Sequence, residues 1–87
     1  MAKAKDLLAR AVKTLKASPA IDHWQSDREE IESEELLAFA MEVEVDDLDP
    51  GDEVPARAAR RFQAMVARRA KGEPVQFIEG YAEFRGI

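Results

Sequence analysis

The sequence predicts an all-α protein, a small bundle of three main helices with short helical turns. Three segments carry apolar residues at helical spacing, so that each would present one apolar face. Prolines and glycines stand at the ends of these segments, where they begin or terminate helices. With 87 residues, the chain has the length of one domain.

The first predicted helix covers Ala4 to Ala17. Its apolar residues fall on one stripe, as the core-facing side of a helix requires: Leu7, Leu8, Ala11, Val12 and Leu15. Ser18 and Pro19 follow directly, and the residue before a proline is disfavoured in the helical conformation. The helix is therefore expected to end there.

The second predicted helix covers Asp27 to Glu42, with Ser26 and Glu29 as a capping box at its start. A helical projection places its apolar stripe on Ile31, Leu37, Ala38 and Met41. Glu34 falls inside this stripe. Because an unpaired buried charge is very costly, this acid needs a partner.

Residues 43–55 are predicted to form a linker, with a short helical turn near Val45 and a turn at Asp49-Pro50-Gly51-Asp52. The third predicted helix begins at Pro55, runs to about Lys71 and is closed by Gly72 in a left-handed conformation. Its core face consists of Ala58, Phe62, Met65 and Val66.

Arg69 lies on that same face of the third helix. We therefore predict that Glu34 and Arg69 form a structural ion pair across the interface between the second and third helices. Such a pair would determine which helix faces meet.

A short helical segment is expected from Pro74 to Glu79, closed by Gly80. Beyond it, residues 81–87 alternate in polarity, which is typical of a strand. A strand without a partner is not stable. We therefore expect a helical domain over residues 1–80, with 81–87 as an unpaired strand that begins a linker to a further structural unit.

The net charge of −5 is distributed unevenly. Residues 1–21 hold five basic residues and one acidic residue, residues 22–53 hold one and 14, and residues 54–87 hold seven and three. The two basic flanks can fold against the acidic middle. Because the basic excess is partly neutralised within the molecule, nucleic acid is not the expected partner.

The expected location is the cytoplasm, and no membrane association is predicted. The chain has no cysteine and no apolar run near the roughly 20 residues needed to cross a bilayer. Its first residues lack the apolar stretch of a signal peptide.

One stripe of the third helix, opposite its core face, is strongly basic and carries the candidate partner-binding residues Arg57, Arg60, Arg61 and Arg68, with Lys71 beside them. Two interpretations remain open: a solvated helix face, or a docking surface for an acidic partner or for RNA phosphate. No aromatic residues alternate with these bases, which disfavours binding of single-stranded nucleic acid.

The sequence predicts no catalytic, cofactor-binding or metal-binding residues. It has no glycine-rich phosphate loop, no zinc-ligand spacing and no nucleophile close to a base. Glu30 and Glu34 stand one turn apart, but a carboxylate metal site in a helical bundle also needs helical histidines. The single histidine, His23, lies outside the predicted helices.

Residues 68–87 resemble a distinctive stretch of the HemK/PrmC family of protein glutamine methyltransferases. Several glycines, a proline and aromatic residues fall in register with the family pattern. The matching residues are Arg68, Arg69, Gly72, Glu73, Pro74, Phe77, Ile78, Gly80, Glu83, Phe84 and Gly86. The run Glu34-Glu35-Leu36-Leu37 also fits a family pattern, with Ser33 in place of an alanine.

The resemblance implies a helical N-terminal domain that recruits and orients the protein substrate. In the family, a hairpin linker joins this domain to a Rossmann-like domain that binds S-adenosylmethionine and methylates the Gly-Gly-Gln loop of peptide chain release factors. A sister group methylates a ribosomal protein.

The sequence ends within the expected linker, so catalytic and cofactor residues are expected in a following domain. This chain would not be an enzyme, although its parent protein would be one. The expected partners are the release factor and the methyltransferase domain of the same protein.

Two other functions remain possible. One is a free-standing helical adaptor that binds an acidic protein through the arginine stripe. The other is a small RNA- or DNA-binding domain, which the acidic middle disfavours because it would repel phosphate.

Overall fold

The computed structural model describes residues 2–19, 28–75 and 77–78. These residues contain three α-helices, α1 (Ala4–Ala17), α2 (Arg28–Met41) and α3 (Ala56–Ala70), each packed against the other two. The predicted all-α helical bundle is confirmed. The bounds of α1 are those predicted, and α2 and α3 each end one residue before their predicted ends.

The core lies between the three helices, and the predicted faces of α1 and α3 point into it. In α3, all the predicted core residues are buried, and Arg69 is buried with them. In α1, Leu7, Ala11 and Leu15 are buried, whereas Leu8 and Val12 are half-buried at the edges of the stripe. Apolar periodicity therefore predicted both faces correctly.

The predicted core face of α2 was correct for Leu37 and Ala38 but wrong for Ile31 and Glu34. Ile31 is 53% exposed, and Glu34 is also exposed. The buried residues of α2 are Glu29, Ser33, Leu36, Leu37, Ala38 and Ala40. This face is turned roughly a third of a helical turn from the predicted one. Because residues 36–41 are all apolar, the pattern in this half of the helix does not select a single face.

The linker between α2 and α3 contains a short strand that the sequence did not predict. A 3₁₀-helix covers Val45–Asp47, which confirms the predicted helical turn. Two short strands, β1 (Ala2–Lys3) and β2 (Glu53–Val54), pair antiparallel, with Ala2 opposite Val54. The sequence did not predict this pairing, since two residues are too few to show the alternation typical of strands.

The linker also covers the first turn of α1. The backbone N–H of Ala4 donates to the carbonyl oxygen of Asp52 at 2.8 Å, and that of Lys5 to the carbonyl oxygen of Pro50 at 2.9 Å. The first N–H groups of a helix have no partner within the helix. The linker carbonyls therefore take the place of the side-chain cap that Lys3 does not provide.

The turn that presents these carbonyls has the predicted chemistry. The backbone N–H of Asp52 donates to the carbonyl oxygen of Asp49 at 3.0 Å, which closes the turn. The backbone N–H of Gly51 donates to Oδ1 of Asp49 at 2.8 Å. An aspartate that accepts from the backbone two residues later is typical of such turns.

The helices α2 and α3 end in the same motif. After α3, Gly72 has a φ of 103°, and the N–H of Glu73 donates to the carbonyl oxygen of Arg68 at 3.3 Å. After α2, Glu42 has a φ of 60°, and the N–H of Val43 donates to the carbonyl oxygen of Ala38 at 3.0 Å. Both are Schellman motifs, and the predicted left-handed cap at Gly72 is confirmed.

Several predictions lie outside the described residues. They concern the serine of the capping box, Ser26, as well as His23, Gly80 and the strand over 81–87. The division of the chain into residues 1–80 and 81–87 stays a prediction.

Candidate protein-docking surface

The five arginines of α3 fall into two groups that differ in solvent exposure. Arg69 is buried and Arg68 is half-buried, whereas Arg57, Arg60 and Arg61 are exposed. Successive residues of an α-helix are rotated by about 100°, so α3 turns one arginine into the core and the others outward. Arg68 and Arg69 have glutamate partners, whereas the exposed arginines form no ion pair within the described part of the chain, which indicates different roles.

Arg69 is only 5% exposed, and its guanidinium is bound from two sides. Its Nε donates to Oε1 of Glu32 at 2.9 Å and its Nη2 to Oε2 at 3.2 Å. Its Nη1 donates to the carbonyl oxygen of Glu73 at 3.3 Å. A guanidinium that binds both oxygens of one carboxylate is well suited to a buried ion pair.

The prediction that Arg69 pairs with Glu34 was therefore wrong. The arginine is buried and paired with a glutamate of α2, but that glutamate is Glu32, because α2 is rotated relative to the predicted orientation. The sequence contains a signal for Glu32. It stands one helical turn after Arg28, and Nε of Arg28 lies 3.1 Å from its Oε2. One carboxylate thus serves two arginines.

Residues of the segment that resembles the family pattern stabilise the end of α3. Nη2 of Arg68 lies 2.7 Å from Oε2 of Glu73, across the turn made by Gly72. On the other side, the hydroxyl of Ser18, at the end of α1, donates to the carbonyl oxygen of Ala70. The end of α3 is therefore connected to α1, to α2 and to the segment that follows it.

That segment continues with a helical turn over Pro74, Phe77 and Ile78, as predicted for these residues. The backbone N–H groups of Phe77 and Ile78 donate to the carbonyl oxygen of Pro74 at 3.1 and 3.2 Å. Ile78 is fully buried in the core, whereas Phe77 is 70% exposed. The motif positions Gly80, Glu83 and Phe84 lie beyond the described residues.

The three exposed arginines Arg57, Arg60 and Arg61, which we call the arginine surface, form no ion pair within residues 2–19, 28–75 and 77–78. Arg61 lies over the ring of Phe39 on α2, with its Cζ 5.3 Å from the ring centroid. This cation–π contact orients the guanidinium without neutralising it. The arginine surface therefore carries positive charge that is available to a partner.

Arg68 differs from the other candidate docking residues. Its guanidinium is bound to Glu73, so it already has a structural role in the turn after α3. Its participation in docking stays a prediction, as does that of the arginine surface.

Within the described residues, no group of three potential ligands could hold a metal ion. No helix in this part of the chain has the length and apolar character required to cross a membrane. Among the exposed features of the described residues, the arginine surface favours an acidic partner.

A protein-family model described as the PrmC N-terminal domain matches residues 6–80, which is most of the chain. No curated protein and no solved structure gives a significant match.

Proposed function

This chain belongs to the family of PrmC N-terminal domains, and from this membership we propose that it is the substrate-recognition domain of a protein glutamine methyltransferase. The proposed substrate is a peptide chain release factor, methylated on its Gly-Gly-Gln loop with S-adenosylmethionine as methyl donor. The domain binds the substrate and holds it close to a catalytic domain. Such recruitment raises the effective concentration of the reacting groups without new chemistry.

The observation that supports a role in substrate binding is the arginine surface. Arg68 and Arg69 are bound to glutamates, whereas Arg57, Arg60 and Arg61 form no ion pair among the described residues. A row of exposed, unneutralised charges steers and orients an oppositely charged protein.

The connections at the end of α3 support the second part of the proposal, which is orientation. Arg68, Arg69 and Ser18 hold the end of this helix against the rest of the bundle. In this proposal, holding the end of α3 in place limits the positions in which the catalytic domain is presented to a bound substrate.

The residues of this chain do not fit S-adenosylmethionine. A glycine-rich turn between a strand and a helix normally holds such a cofactor, and the four glycines, at positions 51, 72, 80 and 86, do not form one. In this proposal, the methyltransferase domain supplies the cofactor site and cytoplasmic release factor supplies the glutamine.

The proposal is tested by calorimetric titration of the chain with a purified bacterial release factor. We expect weak, micromolar binding, and no heat on titration with S-adenosylmethionine. A triple variant, Arg57→Glu with Arg60→Glu and Arg61→Glu, is expected to lose binding. The matched control is Arg10→Glu, which reverses an exposed charge on α1.

Two results would contradict the proposal. One is the absence of any binding to the release factor by the unmodified chain. The other is equal binding by the unmodified chain and the triple variant. Binding to unrelated acidic proteins with the same affinity would instead favour the free-standing adaptor, because the arginine surface would then serve a general partner.

A further inference from the structure

A groove lies between the end of α2 and the start of α3, and two residues of the arginine surface line it. Its volume is about 320 Å³, within the range of sites that bind small ligands or side chains. The lining residues come from the two helices and their adjoining turns: Ala40, Met41, Glu42, Pro55, Arg57, Ala58 and Arg61. We call it the α2–α3 groove.

The bottom of the α2–α3 groove is apolar. Ala40 and Ala58 are buried and Met41 is half-buried, so these three side chains form its inner wall. An apolar side chain that enters the groove would bury its surface against them and be stabilised by its removal from water.

The rim of the groove is basic along α3 and acidic at the end of α2. Arg57 and Arg61 stand one turn apart on α3 and are both exposed, whereas the acidic Glu42 stands at the end of α2. Arg60 belongs to the same arginine surface but does not line the groove. A ligand that fits must therefore place negative charge along α3 and away from Glu42.

The start of α3 adds to the positive side of the rim. Pro55 provides no side-chain hydrogen bond to the first turn, and that turn has no acidic residue. The first turn of a helix carries partial positive charge, which usually attracts acidic groups. Here the charges of Arg57 and Arg61 add to that of the helix end.

We propose that the α2–α3 groove binds an acidic segment of the protein substrate, with one apolar side chain against Met41 and Ala58 and a neighbouring carboxylate held by Arg57 and Arg61. This inference rests on the proposed function, since it identifies where the release factor contacts this domain. The occupant is a protein segment because the groove combines an apolar wall with paired guanidinium groups, which suits alternating apolar and acidic side chains.

The experiment compares single charge reversals on one helix. Arg57→Glu and Arg61→Glu each change a groove residue, while Arg60→Glu makes the same change just outside the groove. Binding to a purified bacterial release factor is measured for each by fluorescence anisotropy. We expect about tenfold weaker binding for the first two variants and less than about threefold weaker binding for Arg60→Glu.

A fourth variant tests the asymmetry of the rim. Glu42→Gln removes the negative charge that opposes an acidic ligand, so it is expected to strengthen binding by about twofold to threefold. The circular dichroism spectra and melting temperatures of all four variants establish that each is folded.

The outcomes separate the two proposals. If the release factor binds but Arg60→Glu weakens binding as much as Arg57→Glu, the groove assignment is overturned while the proposed function stands. If it binds and none of the arginine variants changes binding, the arginine surface takes no part in docking and both proposals are contradicted. If the release factor does not bind the unmodified chain, the proposed function fails, and the groove assignment fails with it. Concentration-dependent dimerisation that Arg61→Glu abolishes would identify a second copy as the occupant and would also overturn the assignment.

Discussion

At the scale of single residues, the ion pair between Arg69 and Glu32 shows what the sequence could and could not predict. The burial of Arg69 follows from its place on the apolar face of α3, and the need for an acidic partner follows from its charge. The identity of that partner depends on the rotation of α2 about its axis. A projection of α2 alone could not supply that rotation, because the neighbouring helices determine it.

We expect Glu32→Ala to lower the free energy of unfolding by about 3 kcal/mol or more, because it leaves a buried guanidinium without its carboxylate. Chemical denaturation, followed by circular dichroism, measures this change. The matched control is Glu34→Ala, an exposed site on the same helix, for which a change below about 0.5 kcal/mol is expected. Equal effects of the two substitutions would mean that the pair does not stabilise the fold.

Ser33 is a second residue for which the structure predicts the effect of a substitution on stability. It is 0% exposed, and its hydroxyl has no hydrogen-bond partner among the described residues. Burial of an unpaired hydroxyl is unfavourable, so Ser33→Ala is expected to raise the free energy of unfolding by about 1 kcal/mol. A shift of the denaturation midpoint to lower denaturant concentration would contradict this.

At the scale of secondary-structure elements, local signals predicted where helices begin and end. Pro19, Pro55 and Gly72 each stand within two residues of a helix end, because proline and glycine restrict or permit specific backbone angles in any context. The orientation of α2 was less predictable. Its apolar residues surround the helix near its end, so several faces would bury similar areas.

The ends of α2 and α3 allow a direct comparison within one molecule. Glu42 holds the left-handed position that Gly72 holds after α3, although residues with a side chain disfavour that conformation. We expect Glu42→Gly to raise the free energy of unfolding by about 1 kcal/mol and Gly72→Ala to lower it by a similar amount. Thermal unfolding checks both variants, and a destabilised Glu42→Gly variant would contradict the assigned motif.

At the scale of the whole molecule, the unequal distribution of charge along the chain is reflected in the ion pairs between helices. Nζ of Lys16, from the first basic segment, lies 3.4 Å from Oε1 of Glu30, and Nε of Arg69, from the last, lies 2.9 Å from Oε1 of Glu32. Both glutamates belong to the acidic middle. The distribution of charge in the sequence therefore indicated which segments attract each other. It could not decide whether the arginine surface is a solvated face or a docking surface, because both require the same exposed residues.

The turn at Asp49 connects the middle of the chain to its beginning. Asp49→Ala removes the acceptor for the Gly51 N–H, which loosens the turn whose carbonyls cover the first turn of α1. We expect a loss of about 1 kcal/mol in the free energy of unfolding. We also expect faster hydrogen exchange at the amides of Ala4 and Lys5, measured by NMR. Unchanged exchange at these amides, with the turn altered, would contradict this connection.

This connection has a consequence for synthesis on the ribosome. The first turn of α1 receives its hydrogen bonds from Pro50 and Asp52, and β1 pairs with β2 at Glu53–Val54. Residues 2–5 therefore cannot reach their final state until this later segment has left the exit tunnel. Although α1 is translated first, its start is completed only after α2 has emerged, so the order of folding in this domain differs from the order of translation.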